Sequence, residues 1–308
     1  MKKILFALSI LLLAVSCGKG ETPTPTPTPP TPTPPASKYQ KYANENEIKI
    51  MSFNVRTSGE DKDTPNHWEN RKMACLALIR DHKPTILGVQ EATYTNQWGW
   101  LKNQLAADYD GYGLNRTTGE ESGAGETMGI LYDKKLIRKI EVGTFWLSDK
   151  PNEAGSKGWG ASLPRTATWG LFEHIPTGKE FFYINTHLDH KSYQAQVGGM
   201  QLIYDKFKEY EKKVDAYFLT GDLNVTDPHD ALEILDGYML NARITAKVTD
   251  SYGTTNGFTN PDATKQIDHI YYNKKLNKPI EYCTIKDAYN GVQFVSDHYP
   301  IYTIIKLK

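Results

Sequence analysis

The chain has 308 residues, of which 39% are hydrophobic and 11% aromatic, and this is ample material for a packed core. Basic and acidic side chains are balanced at 36 each, so the formal net charge is 0. That balance excludes the bulk basic excess that usually accompanies non-specific binding of long nucleic acids.

The chain begins with a segment that predicts export. Residues 1–17, MKKILFALSILLLAVSC, combine a basic start, an apolar run too short to span a bilayer stably, and small residues before Cys17. This end resembles a bacterial lipoprotein signal, although position 14 is Ala where Leu is usual. We expect a lipoprotein signal peptide with a lipid on Cys17; an ordinary cleaved signal peptide is the alternative. Without residues 1–17 the chain has 34 basic and 36 acidic residues, a formal charge of −2.

A tether is predicted at residues 18–38. Its main part, ETPTPTPTPPTPTPPAS, alternates Pro and Thr, which favours an extended chain over helix or sheet. The folded domain is expected at residues 39–308, a size consistent with one domain. We expect this domain to stand on a stalk in the envelope of a Gram-negative-type bacterium, at the periplasmic or outer-membrane surface.

The first half of the domain predicts an alternation of strands and helices. Trp68, Met73, Leu76 and Ile79 follow helical spacing, and Pro84 ends that helix. Apolar runs bounded by polar clusters predict strands. The predicted elements are strand 48–55, helix 67–83, strand 85–92, helix 97–108, and strands 128–135, 137–148, 166–175 and 179–188.

The second half ends in strands that follow one another like hairpins. Its predicted elements are helix 192–213, strand 216–224, a helix near 228–236, and strands 267–273, 280–287 and 298–307. The sequence contains no internal repeat of fixed period. This mixture argues against a purely parallel sheet and favours two packed sheets with helices outside.

Polar residues stand where the predicted strands begin or end. Four strands end in them and two late strands begin with them: Asn54, Glu91, His187, Asp222 with Asn224, then Asp268-His269 and Asp297-His298. If the late strands run antiparallel to the first four, all six ends meet at one edge. Asp222 and Asn224 would point to the same side of a continuing strand.

This collection of carboxylates predicts a divalent cation. Carboxylates a few ångströms apart repel one another, and a hard ion removes that penalty. Oxygen ligands from Asp, Glu and Asn favour Mg²⁺ over zinc, with Mn²⁺ or Ca²⁺ as alternatives. Each residue taken alone is equally consistent with a turn or a cap, so the prediction depends on the joint pattern.

Six short motifs make the chain similar to a known superfamily. They are SFNVR, GVQEA, NTHLDH, GDLN, IDHIYYN and SDHYPIY, and they span about residues 48–306. Each is weak alone, but in this order they resemble the endonuclease/exonuclease/phosphatase superfamily, which includes DNases, abasic-site endonucleases, sphingomyelinases and inositol polyphosphate phosphatases. The resemblance implies a four-layer α/β/β/α sandwich of two mixed sheets with helices outside. It also implies metal-dependent cleavage of a phosphate ester.

The resemblance further implies roles around the metal. Asn54 and Glu91 would hold the ion, Glu91 most directly, and Asp297 would help to bind it or orient its neighbour. Asp222 would orient or deprotonate the attacking water, and Asn224 would hold a phosphate oxygen. Phosphate ester hydrolysis needs neutralised oxygens, an aligned water and a stabilised leaving oxygen, and these roles supply them.

Contacts to the phosphate are implied for the remaining motif residues. His298 would contact the scissile phosphate, polarised by Asp268, and His187 would donate a hydrogen bond to the phosphate or act as an acid. Arg165 is a candidate substrate clamp, because guanidinium groups bind phosphate in two-pronged fashion; a strand-edge arginine is the alternative. His190 is a candidate substrate contact, with a solvated loop residue as the alternative.

Four other residues carry expectations. Gln196 stands where secreted bacterial relatives often have an arginine, so one positive charge facing the phosphate is absent from that helix. Trp146 is expected to pack rather than to line the site. Cys75 and Cys283 are expected to be buried free thiols, because their spacing is not that of a disulfide-rich domain.

The expected function is Mg²⁺-dependent hydrolysis of a phosphate ester in a small or mid-sized phosphorylated substrate at the cell envelope. Nucleotides, sugar phosphates and inositol phosphates are candidates, and the absence of a basic excess disfavours long nucleic acid. A secreted nuclease and a sphingomyelinase-like phosphodiesterase are alternatives. A non-catalytic binding lipoprotein would also explain the stalk, but it would not need Asp222, His298 and Asp268 together.

Overall fold

Residues 39–307 are described by a computed structural model, and they form two six-stranded sheets with helices. The predicted signal peptide, residues 1–17, and the predicted tether, residues 18–38, lie outside the described residues. Within 39–307, no helix is both long enough and apolar enough to cross a bilayer.

The secondary structure follows the predicted order closely. The strands are β1 (Glu47–Asn54), β2 (Ile86–Thr93), β3 (Tyr109–Tyr112), β4 (Glu126–Asp133), β5 (Ile137–Trp146), β6 (Thr166–His174), β7 (Lys179–His187), β8 (Ala216–Asp222), β9 (Met239–Asn241), β10 (Asp268–Asn273), β11 (Glu281–Thr284) and β12 (Ile301–Lys306). The helices are α1 (Trp68–His82), α2 (Gly99–Leu105), α3 (Tyr193–Tyr210), α4 (Asp230–Glu233) and α5 (Ala242–Thr245). A π-helical turn at Tyr94–Trp98 leads into α2.

Three apolar clusters define four layers. The central cluster contains residues of both sheets, among them Ile50 and Ile86 from one and Phe181 and Phe218 from the other. A second cluster joins the first sheet to α1 and α2, and a third joins the second sheet to α3 and α4. The predicted four-layer α/β/β/α sandwich is therefore confirmed.

The central strands, such as β1 and β8, are buried on both faces, which explains their largely apolar sequences. Along β1, Ile48 and Ile50 belong to the central cluster, whereas Met51 and Phe53 belong to the cluster beneath α1. Successive side chains of a strand point to opposite faces, so a strand between two apolar layers needs apolar residues at both parities.

Strand direction brings the polar strand ends together. The sheet orders are β11-β12-β1-β2-β4-β3 and β5-β6-β7-β8-β10-β9. β1 is parallel to β2 and β7 is parallel to β8, whereas β12 runs antiparallel to β1 and β10 antiparallel to β8. The carboxyl ends of the parallel strands therefore lie beside the amino ends of β10 and β12, as the sequence predicts.

Three details differ from the predictions. Met73 is 51% exposed, and Ala74 and Leu78 fill the buried face of α1 in its place. The predicted helix near 228–236 is the single turn α4. The short elements β3, β9 and α5 are absent from the predictions, because three or four residues give no measurable period.

The packing expectations hold for Trp146 and Cys75, whereas Cys283 is less buried than expected. Trp146 is buried, and its indole N–H donates to the backbone oxygen of Arg116 at 2.6 Å. Cys75 and Cys283 are both free thiols, with Cys75 buried and Cys283 half-buried.

Candidate functional site

Asn54 links the two sheets at the edge where the strand ends meet. It closes β1, and its Nδ2 donates to Glu91 Oε1 in the first sheet and to Asp222 Oδ2 in the second, both at 2.9 Å. Its Oδ1 accepts from the backbone N–H of Arg56 at 2.9 Å. Asn54 therefore places two carboxylates from different sheets within reach of one another.

Glu91 reaches the site through an irregularity in β2. The pairing of β2 with β4 shifts register between Val89 and Ala92, and Glu91 has a left-handed backbone with φ 62°. A bulge of this kind turns a side chain away from the direction that strand alternation gives it. The backbone N–H of Thr57 donates to Glu91 Oε2 at 3.1 Å and holds the redirected carboxylate.

Asn224 lies beyond the end of β8 rather than on it. Its φ is 55°, and its backbone N–H donates to Asp222 Oδ1 at 3.0 Å. The expectation that Asp222 and Asn224 point to one side of a continuing strand is therefore wrong, because the chain turns after Asp222. One amide hydrogen of Asn224 is used by Leu188 O at 3.0 Å, and the residue still borders the pocket.

His298 and Asp268 form a buried pair. His298 Nδ1 lies 2.7 Å from Asp268 Oδ2, and His298 Nε2 lies 3.8 Å from Asp222 Oδ2. Burial alone would lower the pKa of His298, but the carboxylates of Asp268 and Asp222 outweigh it and raise the pKa well above its usual range. His298 is therefore an imidazolium that faces Asp222.

Asp222 has the most crowded carboxylate of the cluster. Burial, reinforced by the neighbouring charges of Asp268 and Glu91, raises the pKa of Asp222 to about 7, against the opposing effect of His298. Asp222 and Asp268 face each other across the antiparallel pair β8 and β10, so the crowding is built into the strand register. A carboxylate of this kind can exchange a proton near neutral pH.

His187 is a neutral imidazole on the other side of Asp222. Its Nε2 lies 3.4 Å from Asp222 Oδ2. Burial, followed by repulsion from Arg165 and Arg116, holds the pKa of His187 well below its usual range. The site thus contains one charged and one neutral histidine. The charged ring can donate from both nitrogens, whereas the neutral ring donates from one and accepts at the other.

The donor set fits a hard divalent cation. Ligand atoms of Glu91, His187 and Asp222 lie within 4.8 Å of one another, as do those of Asp222, Asp268 and His298. Carboxylate oxygens dominate both groups, and the raised pKa of Asp222 shows the like-charge crowding that a cation would relieve. Asp297 is in neither group; it lies 3.5 Å from Arg56 Nη1 and borders the same pocket.

Arg165 lies beside these groups as a buried side chain. It is 3% exposed, its Nη2 lies 2.9 Å from His190 Nδ1, and its Nε lies 3.8 Å from Asp189 Oδ2. His190 itself is exposed. The structure thus brings Arg165, His190 and His187 to one side of the pocket.

Arg116 and Glu126 also line the pocket, and sequence reasoning missed both. Arg116 is buried, with Nη1 at 2.7 Å and Nη2 at 3.0 Å from the two oxygens of Glu126. Burial raises the pKa of Glu126 to about 7, although Arg116 opposes the shift. Arg116 lies in a loop without periodicity, and Glu126 begins β4 with no motif around it, so the sequence contains no signal for them.

These side chains enclose a pocket of about 340 Å³. Its lining combines cations, carboxylates and three imidazoles with a few other side chains: Arg56, Thr57, Glu60, Glu91, Arg116, Glu126, Leu163, Arg165, His187, His190, Asp222, Asn224, Asp297 and His298. The pocket is therefore suited to a small anion bound together with a cation.

Comparison with known proteins gives the family. Residues 51–298 match the model of the Endonuclease/Exonuclease/phosphatase family. The chain belongs to this family. It is therefore a phosphoesterase, and enzymes of this family generally use divalent metals.

Solved structures of the same superfamily resemble the chain over most of its length. The endonuclease/exonuclease/phosphatase protein of Bacteroides vulgatus is 32% identical over 85% of this chain and 99% of its own, with a TM-score of 0.78. The mannosyl-6-phosphatase of Bacteroides thetaiotaomicron VPI-5482 is 30% identical over 84% and 99%, with a TM-score of 0.77. The human Nocturnin catalytic domain, at 15% identity over 86% and 96% and a TM-score of 0.65, shows the fold alone. A search of curated protein sequences finds no match.

Gln196 has a structural contact and no place in the pocket. Gln196 is buried at the start of α3, and its amide donates to the backbone oxygen of Asp189 at 2.8 Å. It thus holds the loop that carries Asp189 and His190 and does not border the pocket. Positive charge reaches the pocket from Arg56, Arg116 and Arg165 instead.

Proposed function

We propose that this family member hydrolyses a phosphate ester in a small or mid-sized phosphorylated substrate, with a divalent metal ion. The observation that carries the proposal is the joint placement of Glu91, Asp222 and His298 in one small pocket that arginines also line, with Asp268 bound to His298 behind it. A binding protein has no need of a buried carboxylate that titrates near neutral pH beside an imidazolium.

The metal is proposed to be Mg²⁺, with Mn²⁺ and Ca²⁺ as alternatives. Glu91 would hold it most directly, with Asn54 and Asp297 binding the ion or supporting Glu91, and Asp222 would face the attacking water beside it. When bound, the ion supplies the positive charge that neutralises phosphate oxygens and the leaving oxygen.

The protein's own groups have distinct proposed parts in the reaction. Asp222 accepts a proton from the attacking water, and its hydrogen bonds to Asn54 and to the backbone of Asn224 hold its carboxylate in place for that step. His298, held by Asp268, donates to a phosphate oxygen as an imidazolium, and neutral His187 donates through one ring N–H. Asn224 has a second amide hydrogen that is free to donate to the phosphate, because its bond to Leu188 uses only one.

A sugar phosphate is the favoured substrate among the candidates. The Bacteroides thetaiotaomicron relative, 30% identical, is a mannosyl-6-phosphatase. The pocket of about 340 Å³ has room for one phosphorylated ring rather than for a track of several phosphates. Nucleotides and inositol phosphates are the next candidates, and a nuclease or a sphingomyelinase-like activity is the alternative.

The enzyme is proposed to act at the cell envelope as a lipoprotein. The proposal follows from the residues before Cys17 and the Pro/Thr tether. Cys17→Ser should move the protein from the membrane fraction to the soluble fraction. Membrane retention of the Cys17→Ser variant would count against lipidation at this residue.

A substrate panel in the presence of Mg²⁺ tests the function directly. The panel contains p-nitrophenyl phosphate, bis-p-nitrophenyl phosphate, sugar phosphates, nucleotides, inositol phosphates, plasmid DNA and sphingomyelin. We expect hydrolysis of the small phosphorylated compounds, loss of activity in EDTA and recovery with Mg²⁺ or Mn²⁺. Glu91→Gln should weaken Mg²⁺ binding, measured by calorimetry, while leaving the thermal unfolding temperature without metal within a few degrees. Full activity in chelator would disprove the metal-dependent mechanism.

A further inference from the structure

Arg165 is a buried cation that the protein neutralises only in part. Its side chain is 3% exposed and borders the pocket. Among the described residues, its Nε and Nη1 have no hydrogen-bond partner, although both atoms are buried. Leaving buried guanidinium donors unpaired is costly, so a site of this kind is completed by an anionic ligand.

The nearest carboxylate is already occupied by other donors. Asp189 Oδ2 accepts from the backbone N–H of Ser162 at 3.0 Å and from its hydroxyl at 3.1 Å. Asp189 Oδ1 accepts from the backbone N–H groups of Lys191 at 2.9 Å and Ser192 at 2.8 Å. With its nearest oxygen 3.8 Å from Arg165 Nε, Asp189 screens the charge of Arg165 but does not satisfy its donors.

Arg116 provides a contrast within the same pocket. Its Nη2 donates to Glu126 Oε1 at 3.0 Å, and its Nη1 lies 2.7 Å from Glu126 Oε2 without the alignment of a hydrogen bond. Arg116 thus has a carboxylate in direct contact and one donor unpaired, against two unpaired donors on Arg165. Arg56 is likewise engaged, with Nε 2.8 Å from Asp61 and Nη1 3.5 Å from Asp297. Of these three pocket arginines, Arg165 has the least complete set of partners in the described part of the chain.

The chemistry of phosphate esters decides what ligand completes such a site. A monoester has three terminal oxygens and a charge between about −1.5 and −2 at neutral pH, whereas a diester has two and a charge of −1. His298, His187 and Asn224, which all border the pocket, provide donors for two of these oxygens. We propose that Arg165 binds the third terminal oxygen and makes the site selective for dianionic phosphate monoesters over diesters.

The inference rests on the proposed function and specifies the substrate class of the same site. In a diester the third position is an ester oxygen, which is a poorer acceptor and carries a bulky substituent toward a buried side chain. Arg165 then gains no anionic partner. A diester therefore lacks the ion pair with Arg165, and its second substituent lacks room beside that buried side chain. Selectivity in this pocket is therefore a matter of the charge and shape of the phosphate group.

Arg165→Met, Arg165→Lys and a matched control test the proposal. Arg165→Met removes the charge at similar length, and Arg165→Lys keeps a point charge without the planar fork. Arg138→Met is the control. Arg138 pairs with Glu173 near the start of β5, whereas Arg165 lies beside the end of that strand, and the Arg138 side chain is 62% exposed. Each variant is assayed with Mg²⁺ on p-nitrophenyl phosphate and bis-p-nitrophenyl phosphate, and binding of inorganic phosphate is measured by calorimetry.

The expected result is a selective loss. Arg165→Met should lower kcat/KM for the monoester about 100-fold, the scale for losing a charged donor to the reacting group, and change the diester value less than about threefold. Arg165→Lys should fall between wild type and Arg165→Met, and Arg138→Met should match wild type on both esters. Inorganic phosphate should bind Arg165→Met at least about tenfold more weakly than Arg138→Met.

Two results would overturn the inference without touching the proposed function: an equal fall for both esters, or a wild-type preference for the diester. If no ester is hydrolysed, the proposed function fails, and phosphate binding still decides the inference. Equal phosphate affinity of Arg165→Met and Arg138→Met then refutes it. Should Arg165→Met fail to fold, Arg165→Lys tests the planar fork alone: its kcat/KM should fall for the monoester and not for the diester, and an equal value for the monoester in Arg165→Lys and Arg138→Met would refute the inference.

Discussion

At the scale of single residues, Asp222 has polar contacts with more residues of the site than any other carboxylate among the described residues. Its Oδ2 accepts from Asn54 and lies 3.4 Å from His187 and 3.8 Å from His298. Its Oδ1 accepts from the backbone of Asn224. A carboxylate with so many neighbours has little rotational freedom, which is what positions a catalytic base.

Asp222→Asn and His298→Ala should each lower kcat at least about 100-fold, the scale for losing a general base or an oxyanion donor. The affinity of both variants for inorganic phosphate should change much less than kcat, because Arg165 and the metal remain. Asp205→Asn, on the exposed face of α3, is the control. Steady-state kinetics on the best substrate give the measurement, and near-wild-type kcat in either variant would remove that residue from the proposed mechanism.

Most residues of this site that the sequence predicted stand at an end of a strand. Asp222, His298 and Asp268 lie at the ends of strongly apolar segments, so the sequence indicates both their chemistry and their position. The orientation of Glu91 could not be predicted, because a bulge and a positive φ determine it. Arg116 was missed because it lies in a loop, where neither periodicity nor motif marks it.

At the scale of elements, a buried amide fixes the two sheets against each other beneath the site. Asn185, on β7, donates to the backbone oxygens of Val89 and Gly129, both at 2.9 Å, in the opposite sheet. Its Oδ1 accepts from Gln90 at 2.6 Å and from Thr220 at 3.2 Å. The amide therefore connects β7 and β8 to β2 and β4 immediately before Glu91.

Gly88 provides the space for this amide. A methyl group at position 88 would lie 2.4 Å from Asn185 Oδ1 and 2.4 Å from Thr220 Oγ1. Close approach of the sheets at this point thus requires glycine on one side and a fully bonded polar side chain on the other. Apolar packing alone leaves the relative shift of two sheets loosely defined, and directional hydrogen bonds define it.

Asn185→Leu should lower the free energy of unfolding by about 3 kcal/mol or more, because it leaves several buried polar groups without partners. Thr220→Val, a nearly isosteric change that removes one hydroxyl from the same network, should cost less, about 1 kcal/mol. Urea unfolding followed by fluorescence measures both. Equal stability of Asn185→Leu and wild type would show that apolar packing sets the sheet register.

The elements themselves were largely predictable, and the exceptions have a common cause. Long buried strands and the amphipathic helix α3 have enough residues for their period to be counted. β3, β9 and α5 contain four, three and four residues, so their pairing with a neighbouring strand or turn determines them. The sandwich as a whole was predicted through the order of six motifs rather than through any single segment.

At the scale of the whole molecule, a buried cation and a histidine link stability to pH. Lys49 Nζ lies 3.3 Å from His82 Nδ1 and also donates to the backbone oxygen of Lys41. Burial, with repulsion from Lys49, lowers the pKa of His82 to about 4. Folding therefore favours the neutral form of the His82 ring, which accepts a hydrogen bond from the ammonium group of Lys49.

Wild type should lose about 3 kcal/mol of unfolding free energy through His82 as the pH falls from 6.5 to 4. The folded pKa is lower than the unfolded pKa, so the contribution is complete above pH 6.5 and is lost as the pH falls through 4. His82→Gln should show a correspondingly smaller loss in urea unfolding across this range, whereas His67→Gln, outside this cluster, should follow wild type. Parallel curves for wild type and His82→Gln would contradict the assignment.

The charge distribution of the whole molecule favours a small substrate over a long nucleic acid. Residues 18–308 have a formal charge of −2, and the positive groups nearest the proposed phosphate site are concentrated in one pocket. A small phosphorylated compound needs only that local field. A long nucleic acid needs several phosphate contacts along a surface, and each contact makes its affinity more sensitive to salt.

For the best substrate, kcat/KM should therefore change less than about tenfold between 50 and 200 mM salt, whereas a protein that contacts six to ten phosphates loses about 10³ to 10⁵ in affinity. The measurement is a salt titration of the small-substrate assay run beside a plasmid-nicking assay with the same enzyme and Mg²⁺. Screening acts over about 10 Å at these salt concentrations, so a buried pocket is protected and an extended surface is not. Efficient nicking at 50 mM that collapses at 200 mM would mean that a surface outside the pocket binds the substrate, and the protein would then be a nuclease.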